Sequence, residues 1–385
     1  MIIQLDDSLI KFLSDRKETL SWSGDELCAL ESIFRSVKTH KHILIASIHV
    51  IEFLQDFFSQ ESSFFNGSIC HVLDYMYKHY TFLKSYKNYV TSFVLVCSSC
   101  TQVEREEDNG KIMYKVPLSL LSNCDVTKLC AENENDASFY KTVIKKIFYD
   151  THKKINFDIA VETIGCGGSE MQHFISESKL DDQFTIFIID SDKHFPEDKV
   201  GETARKASKE FNNHPCRVSS IHVLKRVGEM ENLLSPMCYL YDKSCESIIT
   251  QQDQKKFLSF FRDNISDHHD WWGYLDIKSG MTVKKYNQYR TSKEGEKFYT
   301  ALFSNMNDEK LLSEGYPFND CPDDFKIYNK IGQRTRVFLD EILPAIEKTD
   351  DSLWNLLPYF LQYEWKEISD MIYSFCCCFP QTECI

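Results

Sequence analysis

Proline is scarce and comes late. Only 9 of the 385 residues are proline, none precedes Pro117, and glycine numbers 13, so little in the first third of the chain interrupts a helix. Long apolar runs are missing as well. "HILIASIHVI" and "FVLVC" have the length of a buried element and a short strand, well below the roughly eighteen residues of a membrane span. Positive charge is outnumbered: 58 Asp and Glu face 44 Lys and Arg, for a net charge of −14. No overall field therefore draws the protein to nucleic acid, and such a partner must be met by a local basic surface or by cations. The opening "MIIQLDDSLIKFLSD" lacks the basic and apolar regions of a secretory signal, which makes a cytoplasmic location the expectation. In that compartment the 15 cysteines are expected reduced rather than paired as a scaffold.

With 43% hydrophobic residues the chain has material for two or three domains. Residues 1–120 read as a helical N-terminal domain with a β-hairpin. Leu27, Leu30, Ile33 and Phe34 fall at helix spacing, as do Ile48, Ile51, Leu54 and Phe58. The hairpin is expected in "NYVTSFVLVCSSCTQVEREEDNGKIMYKVPLSL", with β-rich runs on either side of "EEDNG". Over 121–245 the rhythm changes. Strands are expected in "VTKLC", "FDIAVETIG", "FTIFIID" and "SSIHVLKRV", separated by helices near 137–149, 169–178 and 198–211. Such alternation predicts an α/β fold, a parallel sheet with helices on both faces. Residues 246–385 read as mixed and mostly helical, with helices near 251–263, 328–347 and 352–375 and a turn-rich stretch between 264 and 325.

Carboxylates gather where two of those strands end. Glu132 follows the first strand of the α/β unit, and Asp136 lies one helical turn further on. Asp190 and Asp192 close the third strand in "IIDSDK". Ligands of open parallel sheets collect beyond the carboxyl ends of the strands. If the first and third strands are neighbours, four like charges meet there and call for a hard divalent cation, Mg²⁺ or Mn²⁺. Two such ions can hold the attacking and leaving oxygens of a phosphoryl displacement. Taken singly, each acidic group also reads as an ordinary helix cap or first-turn dipole partner.

"CAENENDASFY" and "IIDSDK" together resemble the two acidic motifs of the Toprim domain, the metal-binding α/β module of type IA topoisomerases, primases and OLD-family nucleases. "VETIGCGGSEMQ" is similar to the glycine-containing turn after the second Toprim strand, where Ser169 and Gln172 have the spacing of a capping box. "LKRVGEMENLLSP" resembles the segment after the last strand of OLD-like nucleases. The resemblance implies a Toprim-like core and phosphodiester cleavage of DNA or RNA, tRNA included, with a two-metal Mg²⁺ or Mn²⁺ site. It implies Glu132, Asp136, Asp190, Asp192 and Glu231 as metal ligands, Glu132, Asp190, Asp192 and Lys225 as catalytic residues, and Lys225 or Arg226 at the scissile phosphate. Asn133 stands where the family usually has glycine, and no GxxxxGK[ST] run occurs. The likeness is thus to stand-alone Toprim effectors of bacterial anti-phage defence, which act with a separate ATPase or a retron. A second reading stays open, a non-catalytic nucleotide- or partner-binding module that uses the same acidic site near Gly165, Gly167 and Gly168.

Other signals are weaker. Cys97 and Cys100 form one CxxC, with Cys124 and Cys130 at looser spacing for a structural zinc. Cys376–Cys378 read as small buried hydrophobes. Arg35 and His40 have the RxxxxH spacing of HEPN ribonucleases, against the plainer reading of a solvated helix end. "DHHDWWGYLDIKSG" reads as a turn packed by aromatics, with a stacking surface for a base as its functional alternative. Lys141, Lys145, Lys146, Lys153 and Lys154 stand where a nucleic-acid backbone would pass, or form the wet face of a helix.

Overall fold

The computed structural model describes the whole chain except residues 20–23, 61–65, 152–157, 177–183, 214–217, 242–251, 313–314, 331–335, 337, 350 and 381–385. Two sheets organise it. The first is built from β1 (Ile2–Leu5), β2 (Ile43–Ala46), β3 (Ser92–Cys97), β4 (Glu104–Asp108) and β5 (Lys111–Pro117), in the order β2-β1-β3-β5-β4. All neighbours in it run parallel except the hairpin β4–β5.

Residues 1–120 are therefore α/β rather than helical. The expected helices are present, at Gly24–Lys38, Ile48–Gln60 and Asn66–Lys78, but they cross over between short parallel strands. The hairpin also differs. Its turn is at Asn109 and Gly110, both at positive φ, yet the arm facing β5 is "EREED" and not "SFVLVC". The apolar run β3 lies parallel to β5 on its other side. β3 is buried almost throughout, and a strand buried on both faces needs a neighbour on each edge, which β1 and β5 provide.

The second sheet follows the expected strands closely. β6 is Thr127–Ala131; after the two-residue β7 (Asp158–Ile159) come β8 (Val161–Gly165), β9 (Thr185–Ile189) and β10 (Ser219–Val223). The order β10-β9-β6-β8 is parallel throughout. The chain leaves β6 toward one edge to make β8 and then returns to the other side for β9, so the strand order reverses beside β6. Helix Glu134–Thr151 covers one face with Tyr140, Val143, Ile144 and Ile147, all 2% exposed or less. Met171, Ile175, Ala204 and Ala207 cover the other, from helices Met171–Ser176 and Glu202–Asn213.

The C-terminal part is mostly helical, with three differences from the expected pattern. Helices His269–Gly273, Val283–Tyr289 and Lys293–Asp308 occupy the stretch expected to be turns. β12 (Lys326–Asn329) pairs with β11 (Gly280–Thr282) where a helix was expected to begin. A π-helical turn, Phe338–Ile342, precedes helix Leu343–Lys348. The last helix, Tyr359–Cys376, runs between the sheets: Trp365 packs on Phe139 and Tyr140. The Ser374 hydroxyl accepts from the Thr91 amide, and the Phe375 carbonyl accepts from the Thr127 hydroxyl. β13 (Cys377–Cys378) then pairs with β7, which buries Cys376, Cys377 and Cys378 as small apolar side chains.

Candidate functional site

The register of the second sheet brings the two acidic motifs to one edge. Cys130 of β6 lies opposite Phe187 of β9, so Glu132 and Asp190 leave adjacent strands at the same level, and adjacent strands are about 4.8 Å apart. Asn133 makes the turn from β6 into helix Glu134–Thr151. Its Oδ1 accepts from the Asp136 amide at 3.1 Å while its Nδ2 donates to Asp136 Oδ2 at 2.6 Å. Asn133 is thus the helix cap, and it fixes the Asp136 carboxylate.

The glycine turn after β8 is pressed onto this corner. The Cys166 and Gly167 amides donate to the Ala131 and Glu132 carbonyls at 2.9 and 2.8 Å. A Cβ on Gly165 would stand 2.5 Å from the Glu134 amide nitrogen, and one on Gly168 2.9 Å from Glu132 Oε1. Gly165 and Gly168 thus serve close packing against the acidic turn. The expected capping box of Ser169 and Gln172 is not formed: Gly167 precedes a short 3₁₀ turn, Gly168–Glu170, with no side-chain cap.

Beyond β9 and β10 three loops are stacked. The Asp192 amide donates to Gly228 O at 3.0 Å, and the Gly228 amide to Gly273 O at 2.8 Å. Asp192 itself has φ 53. Asn232 Nδ2 donates to the Trp272 and Leu275 carbonyls at 2.8 and 3.0 Å, and the Trp272 indole donates back to Asn232 O and Leu234 O. This brace sets Glu229 and Glu231 against the turn Asp276–Gly280, where Asp276 is held by Ser279 and Lys285. On that turn sits Lys278, whose Nζ lies 3.3 Å from Glu231 Oε1.

Electrostatics shows that these groups share one neighbourhood. Burial, then the charge of Glu231, pushes Asp136 up to about 6, with Glu132 adding to it and Asn133 and Lys278 opposing. Asp190 is raised well above the usual carboxylate range by burial and by Glu231, Glu229 and Glu132. Burial and Glu132 raise Asp192. Glu229 is pushed up to about 7 by burial, Asp276 and Glu231. Lys278 opposes all four of these shifts. Burial pulls its own ammonium down, but Glu231, Glu229 and Asp190 outweigh burial and raise it. Glu231 is 2% exposed, and its Oε2, like Glu229 Oε2, is buried with no hydrogen-bond partner. Asp136 and Glu231 line a cleft of about 610 Å³ together with Asn133, Ser138 and the π-helical residues Leu339 and Asp340.

The oxygen-only donor set suits a hard divalent cation. Among the described residues, no three His, Cys, Asp or Glu side chains are gathered into a coordination shell. Lys278 was not singled out in the sequence. Lys225, expected at the scissile phosphate, is instead tied to Glu367 on the last helix at 2.5 Å, and Arg226 bonds Glu364 and Glu367, each at 3.1 Å.

Several of the weaker signals fall in packing or ion-pair contacts. Arg35 pairs with Glu31 one turn back, and His40, at φ 56, terminates the helix. His268 stacks on Trp271 at 3.9 Å; Trp271 and Trp272 are 5% and 0% exposed, so they brace the loops and present no stacking surface to a base. Lys141 donates to Val161 O, while Lys145 and Lys146 pair with Asp158 and Asp150; Lys153 and Lys154 lie outside the described residues. Cys97 and Cys100 have their sulfurs 3.0 Å apart, and burial followed by the Cys97 contact pushes Cys100 up to about 12. No family model matches the chain, and no curated protein or solved structure matches it either.

Proposed function

We propose that this chain is a Mg²⁺- or Mn²⁺-dependent nuclease of the Toprim kind that hydrolyses phosphodiesters of DNA or RNA. The observation that carries the reading is the convergence of Glu132, Asp136, Asp190, Asp192 and Glu231 on the reversal point of a parallel sheet, with one buried carboxylate oxygen lacking any partner. Buried like charges repel and raise one another's pKa values unless something positive joins them, and Lys278 opposes one unit of that charge.

In this reading Asp190 and Asp192 would hold one divalent ion, and Glu132 and Asp136 would hold another with Glu231 as a further donor. A bound ion supplies Lewis acidity and charge neutralisation at the phosphate. Glu132, exposed at the rim beside Gly168, moves a proton to or from the reacting oxygen through its carboxylate. Lys278 takes the role first given to Lys225, offsetting negative charge on the bound phosphodiester. The Asn133 cap keeps Asp136 in place, and the helix that it opens directs its positive end toward the same corner.

The family likeness also supports action as an anti-phage effector with a separate ATPase or retron partner. No described helix is long and apolar enough to cross a membrane. The test is cleavage of plasmid, single-stranded DNA and total tRNA in Mg²⁺ or Mn²⁺, with candidate partners added. Glu132→Ala and Asp190→Ala are expected to abolish cleavage while the protein stays folded; cleavage at the parental rate by either variant overturns the reading.

A further inference from the structure

The acidic balance of the chain is suspended over one stretch. No Asp or Glu lies between Asp74 and Glu104, a segment that holds Lys78, Lys84 and Lys87 among Tyr77, Tyr80, Phe82, Tyr86, Tyr89 and Phe93. In the fold this segment runs along the first sheet as helix Tyr80–Ser85 and the 3₁₀ turn Tyr86–Tyr89, then enters β3.

Two cavities open beneath it. One, of about 150 Å³, is apolar, lined by Ile45, Ile51, Met76, Tyr80 and Leu83, with Gln4 and Ser47 as polar points. The other, of about 440 Å³, is lined by Thr81, Ser85, Asn88, Phe93, Asn109 and Lys111. Lys84 and Lys87 line both, so the cavities adjoin. No Asp or Glu is among the described residues that line either one. Lys87 Nζ donates to Gln4 Oε1 at 2.9 Å and lies 3.8 Å from the Phe93 ring centre, and Lys111 Nζ donates to the Lys87 carbonyl. Burial lowers Lys111 from its ordinary value, a cost that a bound anion would relieve. Exposed Phe82 and Tyr89 flank the cleft in sequence.

An apolar slot joined to a lysine-lined cleft matches a ligand with a flat apolar body and an anionic end. We propose that this part of the first sheet binds a nucleoside phosphate, with the base in the apolar cavity and the phosphate among Lys84, Lys87 and Lys111. The same chemistry is offered by a free nucleotide and by one residue of a single strand. The site is separate from the carboxylates and does not depend on their role.

The experiment is equilibrium binding to the full chain in EDTA, so that metal-dependent cleavage plays no part. The probes are fluorescent AMP and ATP, a short 5′-phosphorylated single-stranded oligonucleotide, and inorganic phosphate as competitor. Saturable nucleotide or oligonucleotide binding is expected, and the tighter of the two identifies the source. Lys84→Gln, at an exposed position, is expected to weaken it about tenfold, one charge-assisted contact; Lys145→Gln, which loses only an ion pair with Asp158, should leave it unchanged. Lys111→Gln is the second variant, with its fold checked by circular dichroism. Absence of binding, phosphate competing as well as AMP does, or undiminished affinity in both lysine variants overturns the proposal.

Discussion

Replacing Glu229 by Gln removes one negative charge from the crowded edge of the second sheet and keeps an acceptor for the Asn232 amide, with which Glu229 forms a reciprocal cap. In the unfolded chain this carboxyl ionises near its usual 4.5, whereas burial, Asp276 and Glu231 hold it to about 7 in the fold. Between those values the folded protein binds more protons than the unfolded one, so stability falls as pH rises. The window opens near pH 4.5 and closes near pH 7; below it the penalty is absent, and above it complete. A shift of this size corresponds to about 3 kcal/mol. Glu229→Gln should therefore gain up to about 3 kcal/mol at pH 8.5 and almost nothing at pH 4.5. Urea unfolding of both proteins in EDTA at the two pH values measures the difference. Under the metal reading, Mg²⁺ at pH 8.5 should stabilise the parent more than the variant, because it relieves the same repulsion. An equal gain at both pH values, or a loss at pH 8.5, would refute the electrostatic account.

Four further outcomes are expected. Gly165→Ala forces a Cβ onto the backbone nitrogen of Glu134 and should destabilise by about 1–3 kcal/mol, read by chemical denaturation. Gly168→Ala meets only the end of the Glu132 side chain and should instead lower cleavage with little change in stability. Under the proposed nuclease function, Lys278→Met should cut the cleavage rate by more than about tenfold, as loss of a charged group at the acidic site. Lys225→Met loses only an ion pair with Glu367 and should stay near the parental rate, at a cost of under about 1 kcal/mol; initial-rate assays on one substrate compare the pair.

The second sheet was legible because its strands are apolar runs of the right length, separated by amphipathic helices, and "FTIFIID" reads as buried on both faces without ambiguity. The first sheet was not. β1 and β2 have only four residues each, and "HILIASIHVI" passes from strand to helix with no change of composition, so a period of two never has room to emerge. "SFVLVC" does lie beside β5, but parallel to it and not across a hairpin turn, because "EREED" takes the hairpin position and β1 covers the other edge of β3. At the site, the motif carboxylates were visible because they sit at strand ends. Lys278 was hidden because no local pattern marks it: it reaches Glu231 through Asn232, Trp272 and Gly228, contacts that exist only once three loops have stacked. Lys225 was nearer in sequence, but Glu367 on the last helix claims it.

Glu364 is fully buried on that helix, accepting from His222 and from the Lys225 and Arg226 amides. It fastens the start of the loop that carries Glu229 and Glu231, while Trp365 fastens its far side through Leu233 O. A ribosome delivers Glu132 and Asp190 long before it delivers this clasp, so during synthesis the acidic corner has its sheet but not its final loop. The acidic edge thus becomes whole only after the helix ending at Cys376 has folded back, and under the proposed nuclease function cleavage would stay silent on nascent chains.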